Sequence, residues 1–150
     1  MKQSTLLRLC FLIFLVYHSQ GQTKQDTLAI KQVALDYIES QHNVQPKQFE
    51  RAAHPRMVKR TFWMDKKTKK EYLRETFSDF MILLAETYNQ NGDKFPENPK
   101  KEVIILDIFD KTASVKLIAD EWVDYMHIIK LNEKWQIVNV LWQFKDATKH

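Results

Sequence analysis

Cysteine is almost absent from this chain, and the one thiol, Cys10, sits near its start. No intrachain disulfide can form, and a zinc site built on several thiolates is excluded. Glycine is nearly as scarce: of two, only Gly92 lies beyond residue 21. A phosphate-cradling loop needs backbone N–H groups left uncrowded by side chains, and no stretch here offers one. The chain also lacks a Gly-x-Ser-x-Gly nucleophile elbow and a His-Glu-x-x-His helix. A strong excess of either charge sign is missing too. The formal net charge is +4, and loss of Lys2 and Arg8 with a leader would bring it to +2, too little and too scattered for a nucleic-acid binder. What remains is a chain of 150 residues, 44% hydrophobic, 12% aromatic and 28% charged. That is the make-up of a soluble globular domain large enough to bury its own core.

Residues 1–21 carry the pattern of a signal peptide. Lys2 and Arg8 form a positive start, residues 9–17 an apolar centre, and Ser19 and Gly21 the small residues at −3 and −1 of a cut before Gln22. The apolar run is short for an uncleaved membrane anchor. Cys10 precedes that run, with Arg8 just upstream, which is the wrong placement for a lipidated cysteine. The expectation is a secreted or periplasmic protein whose mature part, 22–150, is one domain without cysteine and without stable membrane insertion.

Helices come first. Asp26 can cap a helix whose buried face holds Ile30, Val33, Ala34, Tyr37 and Ile38. Pro46 suits the first position of a shorter helix with Phe49, Ala52 and Ala53 inward, closed by His54-Pro55. Residues 57–64 alternate loosely and predict a strand. Thr68 with Glu71 reads as a capping box that opens the longest helix, with Leu73, Thr76, Phe77, Phe80, Leu84 and Tyr88 as its stripe. That helix is expected to end near Asn91-Gly92. Pro96 and Pro99 then mark a loop.

Four strands follow, over 102–109, 113–120, 123–131 and 134–142, joined by connections short enough to make them antiparallel neighbours. In the second, Ala113, Val115, Leu117 and Ala119 define the buried face. In the third, Val123, Tyr125, His127, Ile129 and Leu131 are assigned to the cavity side, opposite Asp124, Met126, Ile128 and Lys130. Helices first and an antiparallel sheet last predict an α+β domain.

In their order and spacing, VIILDIFDKTASVKL, DEWVDYMHIIK and EKWQIVNVLW resemble the nuclear-transport-factor-2-like superfamily. Within it they are similar to the secreted proteins grouped as the putative lumazine-binding family. The resemblance spans residues 26–144 and is most specific at Asp124-Tyr125, the 127–130 segment, and Lys134-Trp135 with Ile137 and Trp142. Where that family usually has glycine before the Lys-Trp pair, this chain has Asn132-Glu133, and asparagine tolerates the left-handed conformation. The resemblance implies a cone-shaped fold, with N-terminal helices packed on a strongly curved antiparallel sheet and a pocket at the wide end. It implies no single chemistry, because the superfamily joins ketosteroid isomerase, scytalone dehydratase and polyketide cyclases to domains that only bind or dimerise. The Asp and Tyr that serve ketosteroid isomerase have no matching motif here.

Candidates for a site follow from side-chain chemistry. His127 and His54 are the candidate acid–base groups, since imidazole titrates near neutrality. Each also fits a structural role, His127 as a hydrogen-bonded core histidine and His54 at a helix end. Tyr125, His127, Tyr72, Trp63 and Tyr37 are the candidate ligand-binding residues, aromatic bodies with polar tips that suit flat ligands; ordinary core packing explains the same spacing. Asp120, Glu121 and Asp124 read as a solvated turn rather than a calcium or magnesium site, and Lys66, Lys67, Lys69 and Lys70 as a solvated loop. No metal or cofactor is expected. Two functions fit. One is a secreted, non-catalytic binding domain, homodimeric across its outer sheet face, for a small apolar or aromatic ligand and not for nucleic acid. The other is a small isomerase, dehydratase or cyclase with His127 or His54 as base and Tyr125 or Tyr72 as donor.

Overall fold

The computed structural model describes residues 24–150; the expected leader and its cut lie outside the described residues. Helix α1 covers 24–42 and buries Ile30, Ala34, Tyr37 and Ile38, the apolar face that the spacing predicts. Asp26 does not cap it, for the chain is already helical at 24. The Asp26 carboxylate instead accepts hydrogen bonds from the Trp135 indole, 2.8 Å, and from Lys130, 3.1 Å, pinning α1 to the sheet. Helix α2, Pro46–Ala52, starts on its proline and buries Phe49 and Ala52.

Strand β1, Ala53–Met64, leaves α2 directly, so His54-Pro55, expected to close the helix, already belongs to the strand. Proline cannot donate to a ladder and is tolerated at irregularities; the register with its parallel neighbour shifts between Ala53 and Val58. The lysine-rich turn then reverses the chain. Asp65 accepts from both the backbone N–H and the hydroxyl of Thr68, so Thr68 caps no helix. Residues Glu71–Phe77 form strand β2, paired antiparallel with β1 from Met64↔Glu71 to Val58↔Phe77. The long helix expected here is thus a strand followed by the ten-residue α3, Ser78–Thr87. Tyr72, Leu73, Thr76 and Phe77 are aromatic, branched or β-branched residues that suit a pleated surface, and β1 was at hand to pair with them. Leu73 and Phe77 are exposed on the outer side, away from the stripe to which a helix would have assigned them.

The last four strands fall close to their expected places: β3 Lys101–Phe109, β4 Thr112–Ala119, β5 Trp122–Leu131 and β6 Lys134–Phe144. They form a meander closed by two-residue turns, in which Asp110, Asp120, Asn132 and Glu133 adopt positive φ, as such turns demand. A short 3-10 turn, Ala147–Lys149, follows. The sheet order is β2-β1-β6-β5-β4-β3, antiparallel except where β1 runs parallel to β6. The result is an α+β fold, three helices packed on a curved six-stranded open sheet. Met57, Met81, Val115, Leu117, Met126, Ile128, Ile137 and Val140 fill the core between the two.

Candidate functional site

Between the helices and the inner face of the sheet lies a cavity of about 280 Å³, just under the usual range for ligand pockets. Its walls are largely aromatic. Phe80 of α3, Phe95 of the following loop, Trp122 of β5, and Trp142 and Phe144 of β6 surround it. These rings hold one another: Phe95 lies 5.6 Å from Trp122, Trp122 6.0 Å from Phe144, and Phe144 5.2 Å from Trp142, centroid to centroid. Behind Phe95 the buried His42 ring packs at 3.9 Å. Burial, with Lys101 nearby, pushes that imidazole below its ordinary pKa, so it stays neutral and supports the wall as a ring.

Gln41, Arg74, Thr76 and Glu121 add polar groups to the lining, and one buried charged pair belongs to it. Asp124 of β5 is 1% exposed, lines the cavity, and faces Lys59 of β1 at 3.2 Å. That contact is a charge contact without hydrogen-bond alignment, and neither Asp124 oxygen has a hydrogen-bond partner. Lys59 gives its hydrogen bond to the Tyr37 hydroxyl instead, at 2.7 Å, while its ammonium sits 4.7 Å from the Trp142 ring centroid and 5.3 Å from that of Tyr37. Burial raises the Asp124 carboxyl above the ordinary carboxylate range, and the Lys59 charge works against that rise. Burial, assisted by the Asp124 charge, pushes the Tyr37 phenol well above its usual value. A buried carboxylate with a shifted pKa, in the lining of an aromatic cavity and beside a buried ammonium, is the kind of perturbed group found at functional sites.

This floor is not the one expected from sequence. The assignment of the faces of β5 is inverted: Asp124, Met126 and Ile128 point inward, whereas Tyr125, 45% exposed, and His127 lie on the outer surface. Tyr125 stacks under Lys116 there, and His127 faces Asn139 at 3.4 Å across an open depression. The reason is the two-residue turn between β4 and β5, which sets Leu117 opposite Asp124 and Val115 opposite Met126. Cross-strand partners share a face, so the clear buried face of β4 dictated that of β5. Asp124 is accordingly no part of a solvated turn.

The other candidates scatter. His54 accepts from the Arg56 backbone at 3.1 Å and lies outside the cavity lining, as does His127; β6 separates the strands that carry them. Trp63 and Tyr72 are cross-strand partners; Trp63 stacks under Arg74, and Tyr72 is half exposed. Two reach the site indirectly, Tyr37 through Lys59 and Trp63 through Arg74. Among the described residues, no group of three His, Cys, Asp or Glu side chains is placed to hold a metal.

The family model described as Putative lumazine-binding matches residues 25–143. The chain belongs to the putative lumazine-binding family. No curated protein matches this family member. Solved structures share its fold. An NTF2-like protein of unknown function from Shewanella baltica OS155 is 18% identical with a TM-score of 0.59, over 79% of this chain and 93% of its own. Another, from Silicibacter pomeroyi DSS-3, is 13% identical with a TM-score of 0.63, over 82% and 98%. A ketosteroid isomerase-like protein from Erwinia carotovora atroseptica is 11% identical with a TM-score of 0.51, over 79% and 95%. Such likenesses show that this lumazine-binding-family chain shares the NTF2-like fold.

Proposed function

We propose that this protein is a secreted, non-catalytic binding domain that holds one small, largely aromatic molecule in the cone. The observation that carries this reading is the cavity itself, walled by aromatic rings, with the Asp124–Lys59 pair and the polar Gln41, Arg74, Thr76 and Glu121 in its lining, the usual combination of apolar bulk and a few polar groups in ligand sites. The family name points the same way. Secretion rests on the pattern of residues 1–21. A homodimer across the outer sheet face is supported by cross-strand neighbours Tyr125 and Leu141, large apolar side chains exposed on that face.

Asp124 favours a second reading, a small isomerase or dehydratase. Its raised pKa and its place in the cavity lining suit a group that takes and returns a proton. In that case Asp124, rather than His127 or His54, would be the base. Incubating the mature protein with small-molecule extract of its host, followed by mass spectrometry of the protein-bound and free fractions, separates the two. Binding predicts a compound retained unchanged. Depletion of a compound with growth of an isomer or a dehydrated product overturns the non-catalytic reading.

A further inference from the structure

On the small-molecule reading proposed above, the charges of the lining also say what kind of molecule fits. We infer that the cavity takes an aromatic anion, a planar ring system bearing one carboxylate, with the ring among the aromatic walls and the carboxylate at the rim on Arg74.

Four charged side chains line the cavity: Lys59, Arg74, Glu121 and Asp124. Three of them are already matched. Lys59 and Asp124 face each other at 3.2 Å, and Glu121 pairs with Lys149. Arg74 has no carboxylate partner among the described residues. Its neighbour in the chain, Glu75, is taken by Arg60 at 2.7 Å and, one residue on, belongs to the other face of the strand. The pairs cancel and one positive charge is left over. An anion answers it, a neutral ligand leaves it unused, and a cation is repelled.

The setting of Arg74 suits it to a carboxylate. It stands opposite Thr61 in the β1–β2 ladder, which makes Trp63 a diagonal neighbour on the same face. Its guanidinium carbon lies 4.7 Å over the centre of the Trp63 ring. Stacking occupies the flat side of a guanidinium and fixes its plane, while the N–H donors lie along its edge and stay open to a bidentate acceptor. Arg74 is exposed although it lines the cavity, so it stands at the rim. A carboxylate bound there keeps part of its water and avoids most of the desolvation cost of a buried ion pair. At the floor the same group would meet Asp124, 1% exposed and already matched to Lys59. The ligand therefore enters ring first, towards Trp142 and Phe144.

Three probes with one ring system test this by equilibrium dialysis: 2-naphthoate, the neutral 2-naphthamide and the cation 2-naphthylmethylammonium. The carboxylate should bind about fivefold or more tighter than the amide, and the cation weakest. Raising the ionic strength from about 0.02 to about 0.5 M should narrow the gap between carboxylate and amide. Arg74→Gln, at an exposed position, should bring those two within about threefold of each other. Phe80→Ala, at another exposed position of the lining, should weaken both alike, which ties the binding to the cavity. Equal binding of carboxylate and amide to the wild type, a preference for the carboxylate that survives Arg74→Gln, or carboxylate binding untouched by Phe80→Ala overturns the anion inference; amide binding that Phe80→Ala weakens then leaves the cavity a binding site. If none of the three binds while circular dichroism shows a folded protein, the small-molecule reading fails and takes this inference with it.

Discussion

At the scale of single residues, the molecule turns on a charged pair where a core would ordinarily be apolar. Lys59 and Asp124 have side chains only 11% and 1% exposed, and removing one partner of such a pair leaves the other uncompensated. Lys59→Met should therefore cost about 3 kcal/mol at neutral pH, measured by urea unfolding. The cost has a definite pH dependence. Asp124 has a folded-state pKa raised above its unfolded value, so it binds a proton more readily when folded. Its contribution is full below the unfolded carboxylate range and is lost as pH rises through the folded value. Without the opposing Lys59 charge the folded value rises further, so the penalty of Lys59→Met should shrink as pH falls. Carbon-detected NMR should show the Asp124 carboxyl titrating above Asp65 and Asp146 in the wild type, because hydrogen bonds to Thr68 and to Thr148 lower those two. A penalty that grows on acidification, or an Asp124 that titrates with Asp65, would contradict this. The sequence marked Asp124 only as part of the family resemblance and of a solvated turn, and Lys59 not at all, yet the inward placing of Asp124 was within reach. The short β4–β5 turn and the unambiguous buried face of β4 together place Asp124 inward. Lys59 was not legible: its partner is on a distant strand, and its own strand alternates too loosely to declare a face.

At the scale of elements, periodicity served well where one face is buried and failed where both are part-exposed. Helix α1 and strands β3, β4 and β6 follow their patterns because each has one face against the core, while β5 alternates as expected with its two faces exchanged. Residues 71–88 do not. Strand β2 is an edge strand, exposed at most of its positions, so its apolar residues carry no strict alternation and ran on into the stripe of α3 as if one helix held both. The β5–β6 turn carries a further consequence. Asn132 and Glu133 both have positive φ, 47° and 60°, and glutamate pays for that conformation where glycine would not. Glu133 bonds Lys130, whose other partner is Asp26, so the loss of one exposed ion pair costs little. Glu133→Gly should stabilise the domain by about 0.5–1 kcal/mol, seen as a raised melting temperature. A lowered one would show that the ion pair outweighs the backbone strain.

At the scale of the whole molecule, the curved sheet gives two surfaces with different work. The inner one closes on the helices and forms the cavity; the outer one leaves Tyr125 and Leu141, 52% exposed, side by side. If that face joins two copies, Leu141→Glu should convert a dimer into a monomer in sedimentation equilibrium while leaving ligand binding intact, since Leu141 lies on the side away from the cavity. A dimer that survives Leu141→Glu would move the interface elsewhere. The fold itself was legible from the order of helices and hairpins, and family membership from the spacing along the meander. The chemistry was less so, because a cavity floor is assembled from β1, β5 and α1, and no local pattern records which of their side chains meet. The central claim is that the cone holds a small molecule in its aromatic cavity. Native mass spectrometry of the protein purified from its own host tests it most directly. A single non-covalent adduct of small mass should ride on the wild type and be missing from the folded Arg74→Gln/Phe80→Ala variant; bare protein in both, or the same adduct on both, would contradict the account.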